Sequence, residues 1–254
     1  MKSNKIEVTC LGCGKVLLKY PSKVGKNNFC SLKCRDKYKI KSKYGHLYEI
    51  FNENINEVAY LIGLIMGDGN LRKLDQKKTT RISIGFDIKH ENLIKIFKKV
   101  ATRLKINYFV EPKIHNNCQA IGFVLPDKLL KMYGILYSGA KYNNQPKPVD
   151  KIVNNINYAA GLINSDGWCG YRLKKYKTIG FINTVSSIGE SLVQCLRCNN
   201  IECSYYIYDG YIDKRTKKKG KTQYQLRVLK EAEIDKLKSQ LKYNIKEFKS
   251  EWHL

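Results

Sequence analysis

A duplicated segment restricts the fold of this chain more than any other feature. Residues 59–69 read Ala59-Tyr60-Leu61-Ile62-Gly63-Leu64-Ile65-Met66-Gly67-Asp68-Gly69, and residues 158–167 read Tyr158-Ala159-Ala160-Gly161-Leu162-Ile163-Asn164-Ser165-Asp166-Gly167. Each copy is an apolar run closed by one carboxylate and one glycine. Small residues recur at i, i+4: Ala59, Gly63 and Gly67 in the first copy, Gly161 and Ser165 in the second. On a helix those positions form a flat stripe that lets two backbones approach closely. A helix apolar on nearly all its other sides is expected to be buried between two half-domains. Pairing the two helices brings Asp68 and Asp166 to one end, the C-terminal one, where Gly69 and Gly167 are expected to take the positive φ that stops a helix.

Two carboxylates and two helix C-termini concentrate negative potential at that end, which calls for a cation. Magnesium suits hard oxygen ligands of this kind, and carboxylates plus substrate phosphate commonly hold it. Paired acids and metals between symmetric halves suit hydrolysis of a phosphodiester on each strand of a duplex. A buried core helix followed by an Asp-Gly turn is the plainer reading of either copy alone. The same acid in the same place in both copies favours the functional one.

The 254 residues carry a net charge of +25, an excess that a nucleic-acid backbone neutralises. An anionic membrane surface is the competing partner, but the longest apolar run, Val58–Met66, is far shorter than the ~18 residues a span needs. Met1-Lys2-Ser3-Asn4-Lys5 leads into no apolar stretch of the kind that opens a secretory signal. A basic intracellular protein is expected, cytoplasmic or nucleoid-associated in a prokaryote or phage-infected cell, with an organelle as the alternative.

Near the start, Cys10-Leu11-Gly12-Cys13 and Cys30-Ser31-Leu32-Lys33-Cys34 form two close cysteine pairs. Four thiolates at this spacing predict a closed tetrahedral structural zinc site. Few apolar residues surround it, so metal would supply most of the module's stability. Lys33, Arg35, Lys37, Lys39, Lys41 and Lys43 follow, interleaved with tyrosines. Residues 1–50 thus read as a zinc module and basic linker, a DNA-affinity extension and tether, ahead of two repeats at 51–148 and 149–254. Cys195, Cys198 and Cys203 read as thiols without a metal, for want of an evident fourth ligand.

Within the first repeat, Arg81-Ile82-Ser83-Ile84-Gly85-Phe86-Asp87-Ile88 alternates as a half-buried strand does, with Ile82, Ile84, Phe86 and Ile88 on one face. Helical spacing follows over His90–Leu104, then strands near Tyr108–Ile114 and Gln119–Leu125, and a short helix opened by Pro126-Asp127. The second repeat echoes this, including Ile179-Gly180-Phe181 for Ile84-Gly85-Phe86. The expected class is α+β, a pseudo-two-fold tandem αββαββα repeat with the small zinc module in front. The polar sheet faces suit base edges in a major groove, with Asn70, Arg72, Arg81, Ser83, Arg172, Lys174, Gln223, Gln225 and Arg227 as candidate DNA contacts. The loop Lys214–Lys221 is a candidate phosphate clamp.

From about Asn56 onward, the segments Leu61–Gly69 and Ala159–Gly167 resemble the two signature motifs of the single-chain LAGLIDADG homing endonucleases. Met66 and Asn164 stand where the motif has its first Asp, and Gly67 and Ser165 where it has Ala. The resemblance implies that Asp68 and Asp166 hold Mg²⁺, with Mn²⁺ substituting, assisted by the carbonyls of Gly67 and Ser165. It implies a lysine organising water near the scissile phosphate, for which Lys141 stands in the right stretch with Lys147 as a rival, and in the second half one of Lys242, Lys246 and Lys249, of which Lys246 is chosen. It further implies a monomer that leaves short 3′ overhangs in a long pseudo-palindromic duplex during intron mobility. A non-cleaving binder on the same scaffold, an intron maturase on its own intron RNA or a transcription regulator, is the alternative.

Overall fold

The computed structural model describes residues 5–74, 78–115, 117–137, 141–173, 175–210 and 220–248. Lys174 and most of the Lys214–Lys221 loop lie outside them. The chain divides into two compact units, Met1–Glu49 and Ile50–Leu254.

In the first unit β1 (Ile6–Thr9) and β2 (Val16–Lys19) pair antiparallel, with Thr9 opposite Val16. A 3-10 turn at Pro21–Lys23 follows, and then α1 (Leu32–Glu53). The basic stretch expected to act as a tether is therefore helical, in keeping with the good helix propensity of its lysines.

After the last residues of α1, 50–53, the second unit continues with α2 (Ile55–Asp68), β3 (Asn70–Leu74), β4 (Thr79–Asp87), α3 (Glu91–Arg103), β5 (Tyr108–His115), β6 (Cys118–Pro126) and α4 (Asp127–Met132). Two single-turn helices, α5 (Lys141–Asn144) and α6 (Asp150–Val153), form the connection. The order then repeats as α7 (Ile156–Ser165), β7 (Gly167–Arg172), β8 (Tyr176–Asn183), α8 (Ser186–Cys198), β9 (Ser204–Tyr208), β10 (Gln223–Val228) and α9 (Glu231–Gln240). This is the α+β tandem αββαββα pattern. Its two antiparallel sheets have the same plan, β3-β4-β6-β5 and β7-β8-β10-β9.

Alternation decides the strands. Ile82, Ile84 and Phe86 are buried while Arg81, Ser83, Gly85 and Asp87 are only half covered. Ile88 departs from the expectation: the strand ends at Asp87, and Ile88 lies in the following turn, its amide on the Asn117 carbonyl and its side chain exposed. No helix among the described residues is long and apolar enough to cross a membrane.

The core is built on α2 and α7, buried along nearly their whole length. They touch backbone to backbone at the small-residue stripe. A Cβ on Gly63 would lie 2.3 Å from the Tyr158 carbonyl oxygen, and one on Gly161 would lie 2.2 Å from that of Tyr60. The glycines after the two acids act differently from the expectation. Gly69 has φ −67°, and neither it nor Gly167 is among the positive-φ glycines. What they supply is room at a sharp helix-to-strand corner, where a Cβ would lie 2.4 Å from the Ile65 carbonyl oxygen or 2.6 Å from Ile163 Cα.

Candidate active site and nucleic-acid interface

The helix crossing delivers Asp68 and Asp166 side by side. The two carboxyl groups interact directly, and Asp166 Oδ2 lies 3.4 Å from where a Cβ on Gly67 would stand. Burial pushes the Asp166 carboxyl up, the charge of Asp68 pushes it further, and Lys141 and Asn183 only partly offset this; it reaches about 6. Burial also raises Asp68, against the opposing charges of Lys246 and Lys141.

Two lysines close the site from connecting segments. Lys141, at the start of α5, donates to the carbonyls of Met66 (2.9 Å) and Gly67 at the end of α2. Lys246 donates to those of Ser165 (2.8 Å) and Gly167 (2.9 Å) at the end of α7. Each cation thus caps a helix C-terminus where the macrodipole is negative. Burial drags the Lys141 ammonium down to about 8, although Asp166 and Asp68 favour its charge. Ser165 turns its hydroxyl back onto the Leu162 and Gly161 carbonyls, leaving its own carbonyl to Lys246.

Several members of this centre were not evident in the sequence. Asn183 donates from Nδ2 to Asp166 Oδ2 (2.6 Å), while its Oδ1 accepts from the Val185 amide (2.8 Å), which fixes the orientation of its amide group. Its signal is parity: Ile179, Phe181 and Asn183 share the inward face of one strand, so a polar group there has work other than solvation. Asn164, in the motif position of an acid, accepts from the Lys246 amide (2.8 Å) and donates to the Asn244 carbonyl and Tyr60 hydroxyl, holding the segment that carries Lys246. At the far end of α2 the buried Glu57 accepts from Lys242 Nζ (2.6 Å) and Arg103 Nη1 (2.9 Å). Burial raises its pKa, but these partners outweigh that and hold it low.

The chemistry of the donor set fits divalent metal: two carboxylates, plus helix-end carbonyls that already attract cationic groups. In the first unit, the four cysteine Sγ atoms lie within 4.8 Å of one another, with Cys13–Cys30 at 3.7 Å. Thiolates about 2.3 Å from a tetrahedral zinc would stand about 3.8 Å apart. Burial pushes the Cys10 thiol up, but the amides of Cys30, Gly12 and Cys13 outweigh it and bring the thiol down to about 6. Gly14 takes φ +77° in the knuckle, and a Cβ on Gly12 would strike the Cys34 carbonyl. Cys195, Cys198 and Cys203 form no metal-holding group among the described residues.

Every described candidate DNA contact has the strand parity opposite to the core-facing residues, although Gln225 is itself buried. Asn70 pairs with Ser83, and Arg72 with Arg81. On the second sheet Arg172 pairs with Tyr176, and Gln223, Gln225 and Arg227 face Tyr208, Tyr206 and Ser204. The Gln225 amide satisfies its neighbours with its oxygen toward Arg227 Nη2 at 3.0 Å. Lys174 lies outside the described residues.

No protein-family model matches the chain, and no curated protein does. Among solved structures, the chain is similar to variants of the homing endonuclease I-DmoI, at 18% identity and TM-score 0.45, covering 75% of this chain and 98% of that one. I-DmoI in complex with DNA and Mn gives 17% identity, TM-score 0.45 and the same coverage. The N-terminal LAGLIDADG domain of WhiA gives 10% identity and TM-score 0.47, covering 74% of this chain and 83% of that one.

Proposed function

We propose that this protein is a site-specific double-strand DNA endonuclease that hydrolyses one phosphodiester on each strand at the centre formed by Asp68 and Asp166. The observation carrying this reading is the convergence of those two carboxylates at the touching C-termini of α2 and α7, each flanked by a half-buried lysine. Mg²⁺, or Mn²⁺ in its place, held by Asp68, Asp166 and the carbonyls of Gly67 and Ser165, would supply Lewis-acid activation of water and neutralise the leaving oxygen. The chain's own groups do the rest. Asn183 and the shared contact between the acids fix the carboxylates. Lys141 and Lys246 bring donors to the place a scissile phosphate would occupy, and the sheets orient a pseudo-palindromic duplex by its two halves. The four-cysteine module, with structural Zn²⁺, and the basic α1 add phosphate contacts. The working protein is a monomer acting on intracellular DNA.

The second reading, a non-cleaving binder of DNA or of its own intron RNA, draws on the same lysines: two acids matched by two ammonium groups also suit a purely structural polar centre. The two readings part on one experiment. The protein is incubated with the uninterrupted version of its own gene's insertion locus, in Mg²⁺ and in Ca²⁺. Cutting in the first with binding in the second is expected, and Asp68→Asn with Asp166→Asn should keep the binding and abolish the cutting. Binding without cleavage by the unaltered protein in Mg²⁺ or Mn²⁺ leaves the binder.

A further inference from the structure

The first sheet carries an acid on its outward face, which is unexpected where DNA phosphates are to approach. Glu111, on β5, accepts at one oxygen from both Arg81 Nη2 (2.9 Å) and Ser83 Oγ (3.0 Å), residues of β4. Strands β4 and β5 are not neighbours; β6 runs between them, so these side chains meet across about 10 Å of sheet. The crossing depends on Gly122 of β6, which stands opposite both Ser83 and Phe109. A Cβ there would lie 2.4 Å from the Phe109 ring. The ring can therefore lie flat over β6, and the Arg81 guanidinium sits 4.7 Å from its centre. Arg81 is held by an aromatic face and a carboxylate, with 40% of its side chain and 30% of that of Glu111 open to solvent.

Rigid presentation of this kind lowers the entropy lost on contact and fixes which groups face outward. Arg81 has further N–H donors beyond the one given to Glu111, and Glu111 has a second acceptor oxygen. In a major groove, guanine offers N7 and O6 as acceptors, and cytosine of the same pair offers its N4 donor beside O6. An arginine and a carboxylate in contact present the complementary row, donors then acceptor. An A·T pair offers its groups in another order, the N7 acceptor, the N6 donor and then the O4 acceptor, which does not fit that row. Against a phosphate, the carboxylate repels, so wrong registers are penalised too.

We infer that Arg81 and Glu111 act as one reader, specifying a single G·C base pair in the half-site that faces the first sheet, with Phe109 and Ser83 fixing its geometry. This rests on the DNA-binding part of the function proposed above. The test is selection of bound sequences by the full chain from a randomised duplex pool in Ca²⁺, repeated with Glu111→Gln and with Arg81→Lys, which keeps the charge but loses the fork. The unaltered protein should enrich a long target containing that pair. Each variant should relax preference at that one position by roughly tenfold or more, leaving the other positions intact. Either folded variant selecting with unchanged preference, or losing preference evenly along the whole target, overturns the assignment. No enriched sequence from the unaltered protein would instead remove the site-specific function itself, a result read before any variant is made.

Discussion

Asp166 pays in stability for its place in the centre. Its carboxyl is raised to about 6 by burial and by Asp68, above the ordinary aspartate value near 4. A group whose pKa is raised on folding contributes stability that is full below the unfolded value and is lost as pH climbs through the folded one. Above pH 6 the native state therefore holds a charged group it would rather protonate. Asp166→Asn should raise unfolding stability by on the order of 2 kcal/mol at pH 7.5 in EDTA, a gain that shrinks toward zero near pH 4; urea melts at the two pH values check it. Glu57 runs the other way. Its folded pKa is depressed, so its contribution is present above the unfolded value and is lost as pH falls through the folded one. Glu57→Ala, which leaves the half-exposed Arg103 and Lys242 to solvent, should cost about 1 kcal/mol at neutral pH in the same measurement.

At the level of helices and strands, the crossing of α2 and α7 separates glycines that are required from those that are merely present. Gly161→Ala should lower stability by about 3 kcal/mol or more, because the added methyl meets backbone on the partner helix rather than a movable side chain. Gly85→Ala, with nothing within 4 Å of the added carbon, should change it by less than about 1 kcal/mol. The elements themselves were legible in the sequence because each follows one local period: alternation for Arg81–Asp87, three-four spacing for Leu93–Leu104. Asp68 and Asp166 were legible because the same short pattern ends both helices. Asn183, Glu57 and Glu111 were not, since each acts through partners distant in the chain, and a single polar letter carries no record of what it will face. The conformation of Gly69 was not legible for a related reason: a glycine after a helix suits either a left-handed cap or a corner with no space, and only the fold distinguishes them.

For the whole molecule, charge and metal make separate demands. The four-cysteine module has little apolar core, so removal of zinc by a strong chelator should abolish amide protection between Cys10 and Cys34, read by hydrogen exchange, while the melt of residues 50–254 keeps its midpoint. With a net charge of +25, affinity for duplex DNA should fall steeply, by several orders of magnitude, between about 50 and 200 mM salt. The backbone contact between Gly63 and Gly161 has a consequence for descent. A lineage could shed both acids and become sturdier, whereas neither glycine could drift without prising the halves apart. The glycine pattern at the crossing would thus outlive the two acids that it brings together.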